Sequence, residues 1–149
     1  MASNASEAPE TPDDLASLID FALEFGAPAH YDVAIVVHKM FETAWSYIPR
    51  RGWRVLEDGR CYSEEAAILK IKDLLSRVVH LAFLERARHW RTEAHMASAC
   101  FDNPEHSIRA ASASAISNAE KATEIASLLL NATYKAHIIE ECMILFLCV

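Results

Sequence analysis

The stretch SEEAAILKIKDLLSRVVHLAFLERARHW, residues 63–90, decides the fold. Ser63 followed by Glu64 and Glu65 sets a capping residue and two acids where the positive end of a helix dipole would lie. Behind them Ile68, Ile71, Leu75, Val78 and Ala82 recur at helical spacing, with Leu74 and Leu81 alongside. The spacing predicts one long helix that reaches beyond Trp90 and forms the spine of a domain.

Length and composition agree with that spine. A chain of 149 residues can bury one respectable core and is short for two. Its 25 alanines stand against 3 glycines and 5 prolines, a balance that favours helix interiors and supplies few turns. The expected class is mainly α, a helical bundle with one small β-hairpin at about residues 53–62.

That hairpin lies just before the spine. In RGWRVLEDGRCYSEE, residues 51–65, Trp53, Val55, Cys61 and Tyr62 flank Glu57-Asp58-Gly59, the strongest turn signal in the chain. Two strands alone are marginal in water, so the hairpin must lean on a helix. Further upstream, Asp32 is placed to cap a helix in which Val33, Val36, Val37, Met40, Phe41 and Ala44 recur until Tyr47-Ile48-Pro49 stops it. Residues 1–30 read as an acidic leader with a short amphipathic helix, capped by Thr11, opened by Pro12 and ended by Gly26 and Pro28. Residues 31–149 read as the helical domain.

Beyond the spine, Phe101-Asp102 breaks the pattern and Asn103-Pro104-Glu105 restarts a helix, rich in Ala and Ser, that ends near Leu130. A last helix from about Thr133 carries Ile138, Ile139, Cys142, Met143, Leu145 and Phe146 and becomes apolar on all sides toward Val149. Such a helix is normally buried. The expectation is that a partner, or a further segment of chain, covers it, and that the domain is truncated at this end.

The composition also bounds location and chemistry. The first twelve residues have neither a basic start nor an apolar run, so they are not expected to act as a secretory signal, and an intracellular protein is expected. No apolar stretch approaches the roughly 20 residues of a membrane span. Cys61, Cys100, Cys142 and Cys148 form no CxxC pair and are expected to be reduced, buried and structural. No glycine precedes a lysine, which excludes a P-loop, and no Asp-x-Asp pair is available to hold two metal ions about 4 Å apart. The seven histidines lack helical i, i+4 partners among themselves. No catalytic residue, metal or cofactor is therefore assigned, and the chain is expected not to be an enzyme.

The formal charge of −7 is unevenly spread. Residues 1–48 carry one basic and eight acidic side chains, residues 49–91 ten basic and six acidic, and residues 92–149 three basic and seven acidic. Only the middle segment can attract a polyanion. Its candidate nucleic-acid contacts are Arg50, Arg51, Arg54 and Arg60 around Trp53 and Tyr62, with Lys70 and Lys72 on the next helix, along which Arg77, Arg86, Arg88 and Arg91 follow. Arginines beside an exposed aromatic would neutralise phosphate and stack on a base. The alternative is a solvated basic face with Trp53 in the core.

From Tyr31 onward the order of features resembles the helical domain that precedes the superfamily-three helicase in poxvirus-type, giant-virus and phage primase-helicases. The resemblance is carried by YDVAIVVHKMFETAWSYI (31–48), GWRVLEDGRCYSEE (52–65), the long helix, and ATYKAHIIEECMILF (132–146). Trp53 and Tyr62 would be its hairpin aromatics, Tyr62 standing where that pattern usually has tryptophan. Tyr134, Lys135, Ile138, Glu141 and Phe146 would be its closing motif. The resemblance implies a non-catalytic module between primase and helicase, with DNA and the helicase or primase domain as partners. A free-standing interaction or homo-oligomerisation protein that uses the apolar C-terminal helix is the other reading.

Overall fold

The computed structural model describes residues 10–26, 29–98 and 106–148, and side chains within these except at 10–13, 25 and 106–109. Among the described residues the fold is mainly α, with five helices and a three-stranded antiparallel sheet. The elements are α1 (Glu10–Phe25), α2 (His30–Phe41), β1 (Trp45–Ile48), β2 (Gly52–Glu57), β3 (Arg60–Ser63), a long helix in two parts, α3 (Glu64–Leu74) and α4 (His80–Ser98), then α5 (His106–Leu128) and α6 (Ala132–Leu145).

The long helix is continuous, as its sequence predicts, but it contains a π-turn at Leu75–Val79. A π-turn inserts one residue and rotates the downstream part of a helix by about 100°. The buried row therefore runs Ile71, Leu75, Val79, Phe83 and Ala87. Val78 and Ala82, expected in that row, are only partly buried, and Leu81 is 50% exposed. Ser63 is the residue before the helix, as expected, although its side chain makes no capping hydrogen bond.

Helix α5 packs along α4 through Ala115, Ala119, Ala122 and Ala126, small residues that let two helices approach closely. Ile125, and Leu129 just past the helix, are also fully buried. The expected helix start at Asn103-Pro104 lies outside the described residues, as does the break at Phe101-Asp102. Helix α1 buries Ile19, Ala22 and Leu23 and stops where Gly26 adopts φ 69°. The expected Thr11 cap falls inside this helix, which begins at Glu10, and its side chain is not among those described.

Two boundaries differ from expectation around α2. Ala29, in a left-handed conformation at φ 41°, precedes the helix, and Asp32 sits in its first turn rather than at its cap. The helix also ends at Phe41, before Tyr47, because Trp45–Ile48 pairs with β2 as a third strand. Residues Trp45, Tyr47 and Ile48 are aromatic or β-branched and suit a pleated, half-buried surface. The predicted hairpin is present as β2–β3, with Asp58 at φ 51° and Gly59 at φ 77°, the two positive angles that a tight hairpin turn requires.

The pleat separates the sheet into two faces. Trp45, Tyr47, Trp53, Val55 and Tyr62 turn toward the helices, and Ser46, Arg54, Leu56, Cys61 and Ser63 turn outward. Trp53 is 3% exposed, which places it in the core and removes it as a base-stacking surface. Phe41 stacks on Trp45 at 4.2 Å between ring centroids, and Phe146 packs against both Trp45 and Trp53.

Helix α6, capped by the Asn131 side chain that accepts from the Tyr134 N–H, lies along α2 and buries Tyr134, Ile138, Ile139 and Cys142. Its apolar end is not covered within the chain, since Ile144 is 81% exposed. After α6 the chain joins the outer edge of β1, where the Tyr47 N–H donates to the Phe146 carbonyl at 2.9 Å and the Cys148 N–H donates to the Tyr47 carbonyl at 2.8 Å. Cys142 is buried but Cys61 and Cys148 are exposed, so the reading of all four cysteines as buried is corrected; Cys100 lies outside the described residues. No helix among the described residues is long and apolar enough to cross a membrane.

Candidate nucleic-acid interface

Three of the six candidate cations meet in one place. Arg50 and Arg51 occupy the turn between β1 and β2, and Arg54 projects from the outward face of β2, because its neighbours Trp53 and Val55 both turn inward. Together with Cys61, Ser63 and Glu64 they line a cleft of about 470 Å³. Arg50 has φ 72°, so the turn itself holds this residue in a conformation that side chains other than glycine rarely adopt.

Within the cleft, the Arg54 guanidinium lies 3.9 Å from the exposed Cys61 sulfur. Glu64 is the acidic side chain in the lining, against three arginines. The cleft therefore has the sign and the donor geometry for phosphate, since each guanidinium presents a planar fork of N–H donors. Its lining contains no aromatic side chain, so it can hold a backbone phosphate without reading a base by stacking.

The other three cations lie elsewhere. Arg60 is at the far end of the hairpin, paired with Glu57 and three residues along the ladder from the Arg54 level, about 10 Å at 3.3 Å per residue. Lys70, on α3, faces the opposite side of the sheet. Its Nζ is 2.6 Å from the Glu57 carboxylate and 5.1 Å from the centroid of the Tyr62 ring. The hydrogen bond to Glu57 holds the Lys70 ammonium above the ordinary lysine range. Lys72 is exposed in the last turn of α3 and does not line the arginine cleft.

Much of the remaining positive charge of the middle segment is also paired locally. Arg77 donates to Asp73 one helical turn away, which keeps the Asp73 carboxyl below the usual range. Arg86 donates to Asp20 of α1, and the Trp90 indole N–H donates to the same carboxylate at 2.9 Å. The charge excess read from sequence thus divides into a compact arginine cleft, the local pairs of Lys70, Arg77 and Arg86, and other cations that lie outside both.

The residues of the family-like motif divide in a similar way. Trp53, Ile138 and Phe146 belong to the core, and Tyr62 is half-buried beneath Lys70. Glu141 is exposed and stands apart from that cluster. Lys135 donates to the Ser76 hydroxyl at 2.7 Å, tying α6 to the π-turn. Sequence reasoning did not identify Cys61, Ser63 and Glu64 as cleft residues. Strand alternation carries Arg54, Cys61 and Ser63 to one face, but only once the register of β2 and β3 is known. Among the described residues no group of three or more His, Cys, Asp or Glu side chains is arranged to hold a metal ion. No protein family, curated protein or solved structure matches the chain.

Proposed function

We propose that this chain is a non-catalytic helical module of a viral-type DNA replication primase-helicase, which supports the helicase and touches the DNA backbone through Arg50, Arg51 and Arg54. The observation that supports this reading is the convergence of those three arginines on one cleft, on the sheet face turned away from the core. Phosphate neutralisation of this kind is independent of sequence and is weakened by salt, because binding releases condensed counterions.

The test is the salt dependence of binding to a fluorescent single-stranded oligonucleotide. Each phosphate contact adds about 0.7 to the slope of log affinity against log salt on single strands. The triple substitution Arg50→Ala, Arg51→Ala, Arg54→Ala is expected to flatten that slope by about 2 units while the circular dichroism spectrum is unchanged. Undetectable binding at low salt by the unsubstituted chain would refute the reading.

A second reading, a protein-interaction role for the C-terminal helix, is favoured by the exposure of Ile144 and of Leu147, 46% exposed. Of the apolar residues at this end, Ile139 and Phe146 are buried, so a charge placed there would disturb the core. Ile144→Asp probes the surface alone.

A further inference from the structure

A second concavity lies on the helix-facing side of the sheet. Tyr47, Trp53, Ile68, Ile139 and Met143 form its apolar walls, and it encloses about 540 Å³. The carboxylate-bearing residues in its lining are Glu64 at the start of α3 and Glu140 on α6, and among the described residues no lysine or arginine lines it. Ile144 lies four positions beyond Glu140 and so continues the same stripe of α6 past the groove, where it is 81% exposed. Leu147, just past the helix, adds a further exposed apolar side chain. An apolar depression continued by exposed aliphatic side chains and rimmed by carboxylates has the composition of a protein-docking surface.

The occupant is constrained by what surrounds the groove. Strand addition is closed off, because the β1 edge beside it already exchanges hydrogen bonds with Phe146 and Cys148. Nucleic acid meets the Glu140 carboxylate and, among the described residues, no lysine or arginine in this lining. A symmetric second copy would bring like carboxylates of this patch together, since a two-fold interface joins the same surface on both subunits. The geometry points to a docking groove for a helical segment of another protein, with apolar side chains on one face and lysine or arginine at its margin. The apolar side chains fill the depression and the cations pair with Glu64 and Glu140. This surface shares Glu64 with the rim of the arginine cleft, whereas Ile139, Glu140 and Met143 line the groove alone, and it stands whether or not that cleft binds DNA.

The test uses the full chain, isotope-labelled for amide NMR, and two synthetic helical peptides of about four turns. One is built from leucine and lysine, and its twin carries glutamate in place of lysine. The leucine–lysine peptide is expected to shift the amides of Gly52, Ile68, Ile139 and Met143, and to bind at least about tenfold more tightly than its twin. Ile144→Asp should weaken that binding by about tenfold. Glu140→Lys, which leaves the arginine cleft untouched, should abolish the preference between the peptides, with its amide spectrum outside the groove unchanged. Shifts scattered over the acidic surface, equal binding of the twins, or a preference that survives the charge reversal would overturn the proposal. So would self-association of the chain that Ile144→Asp abolishes, because the occupant would then be a second copy.

Discussion

The indole of Trp53 stands edge-on to the ring of Phe146, with centroids 5.6 Å apart and planes at 65°. This contact joins the centre of the sheet to the end of α6, and Trp45 touches both rings. Truncation of such a side chain removes its burial and leaves a cavity that rigid neighbours cannot fill. Trp53→Ala is expected to lower the unfolding free energy by about 3–5 kcal/mol in urea denaturation. A loss under about 1 kcal/mol would place the indole at the surface instead.

The π-turn makes an opposite pair of expectations for two neighbours on α4. Phe83 is fully buried, and Phe83→Ala should cost about 3–5 kcal/mol. Leu81 belongs to the apolar row only if the helix is regular, and it is 50% exposed. Leu81→Ala should cost under about 1 kcal/mol. Equal losses in the two variants, measured by thermal melting, would contradict the π-turn.

Asp20 is the polar tie between α1 and the long helix. Its carboxylate accepts from Arg86 Nε at 2.8 Å and from Trp90 Nε1 at 2.9 Å. Asp20→Ala leaves a part-buried guanidinium and an indole N–H without this partner, and the expected loss is about 1–3 kcal/mol. Arg86→Ala in the same background should cost less than it does alone, because both variants remove the same bond. Full additivity in the double-mutant cycle would show that the pair contributes nothing.

Alkaline pH should weaken the fold through two buried acids. Burial pushes the Cys142 thiol up to about 12 from its ordinary value of 9.0, and burial also raises the Tyr134 phenol. Both groups are held neutral in the folded chain and ionise more easily once unfolded. Their contribution is therefore complete below about pH 9 and is lost progressively as pH rises toward 12, at up to about 1.4 kcal/mol per pH unit for each ionising group. Urea midpoints at pH 7 and pH 10 should differ, and Cys142→Ala should reduce the difference. At pH 8, iodoacetamide should label Cys61 and Cys148 and spare Cys142, as read by peptide mass spectrometry.

Lys70 supplies a control for the proposed phosphate contact. It is engaged by Glu57 and Tyr62 on the side of the sheet opposite the arginine cleft. Lys70→Ala should leave the salt slope of oligonucleotide binding within about 0.3 of the unsubstituted value, less than half of one single-strand phosphate contact. A drop as large as that of an arginine variant would move the contact surface from the cleft to α3.

The helices and the hairpin were legible in the sequence because their signals are local: helical spacing from Ile68 to Leu75, acids after Ser63, and Asp58-Gly59 at the turn. Strand β1 was not. Its residues Trp45–Ile48 continue the apolar run of α2 without a breaker until Pro49, and only pairing with β2 makes them extended. The register after Val79 was also hidden, because a π-turn leaves no distinct residue signature. The arginines were recognised as a group, but Arg60, Lys70 and Lys72 could be separated from Arg50, Arg51 and Arg54 only by the strand register and by the ion pair with Glu57.

Tyr47 and Leu147 are bridged although 100 positions separate them in the chain. The β2–β3 hairpin closes over a two-residue turn and can form early, whereas the bridge must await the docking of α6. During that interval the outer edge of β1 has bare N–H and C=O groups next to Trp45 and Tyr47. Such an edge is a template for pairing between molecules. Refolding yield should therefore fall as chain concentration rises, with the vulnerable period ending when Phe146 reaches the tryptophan pair and residues 146–148 seal the edge.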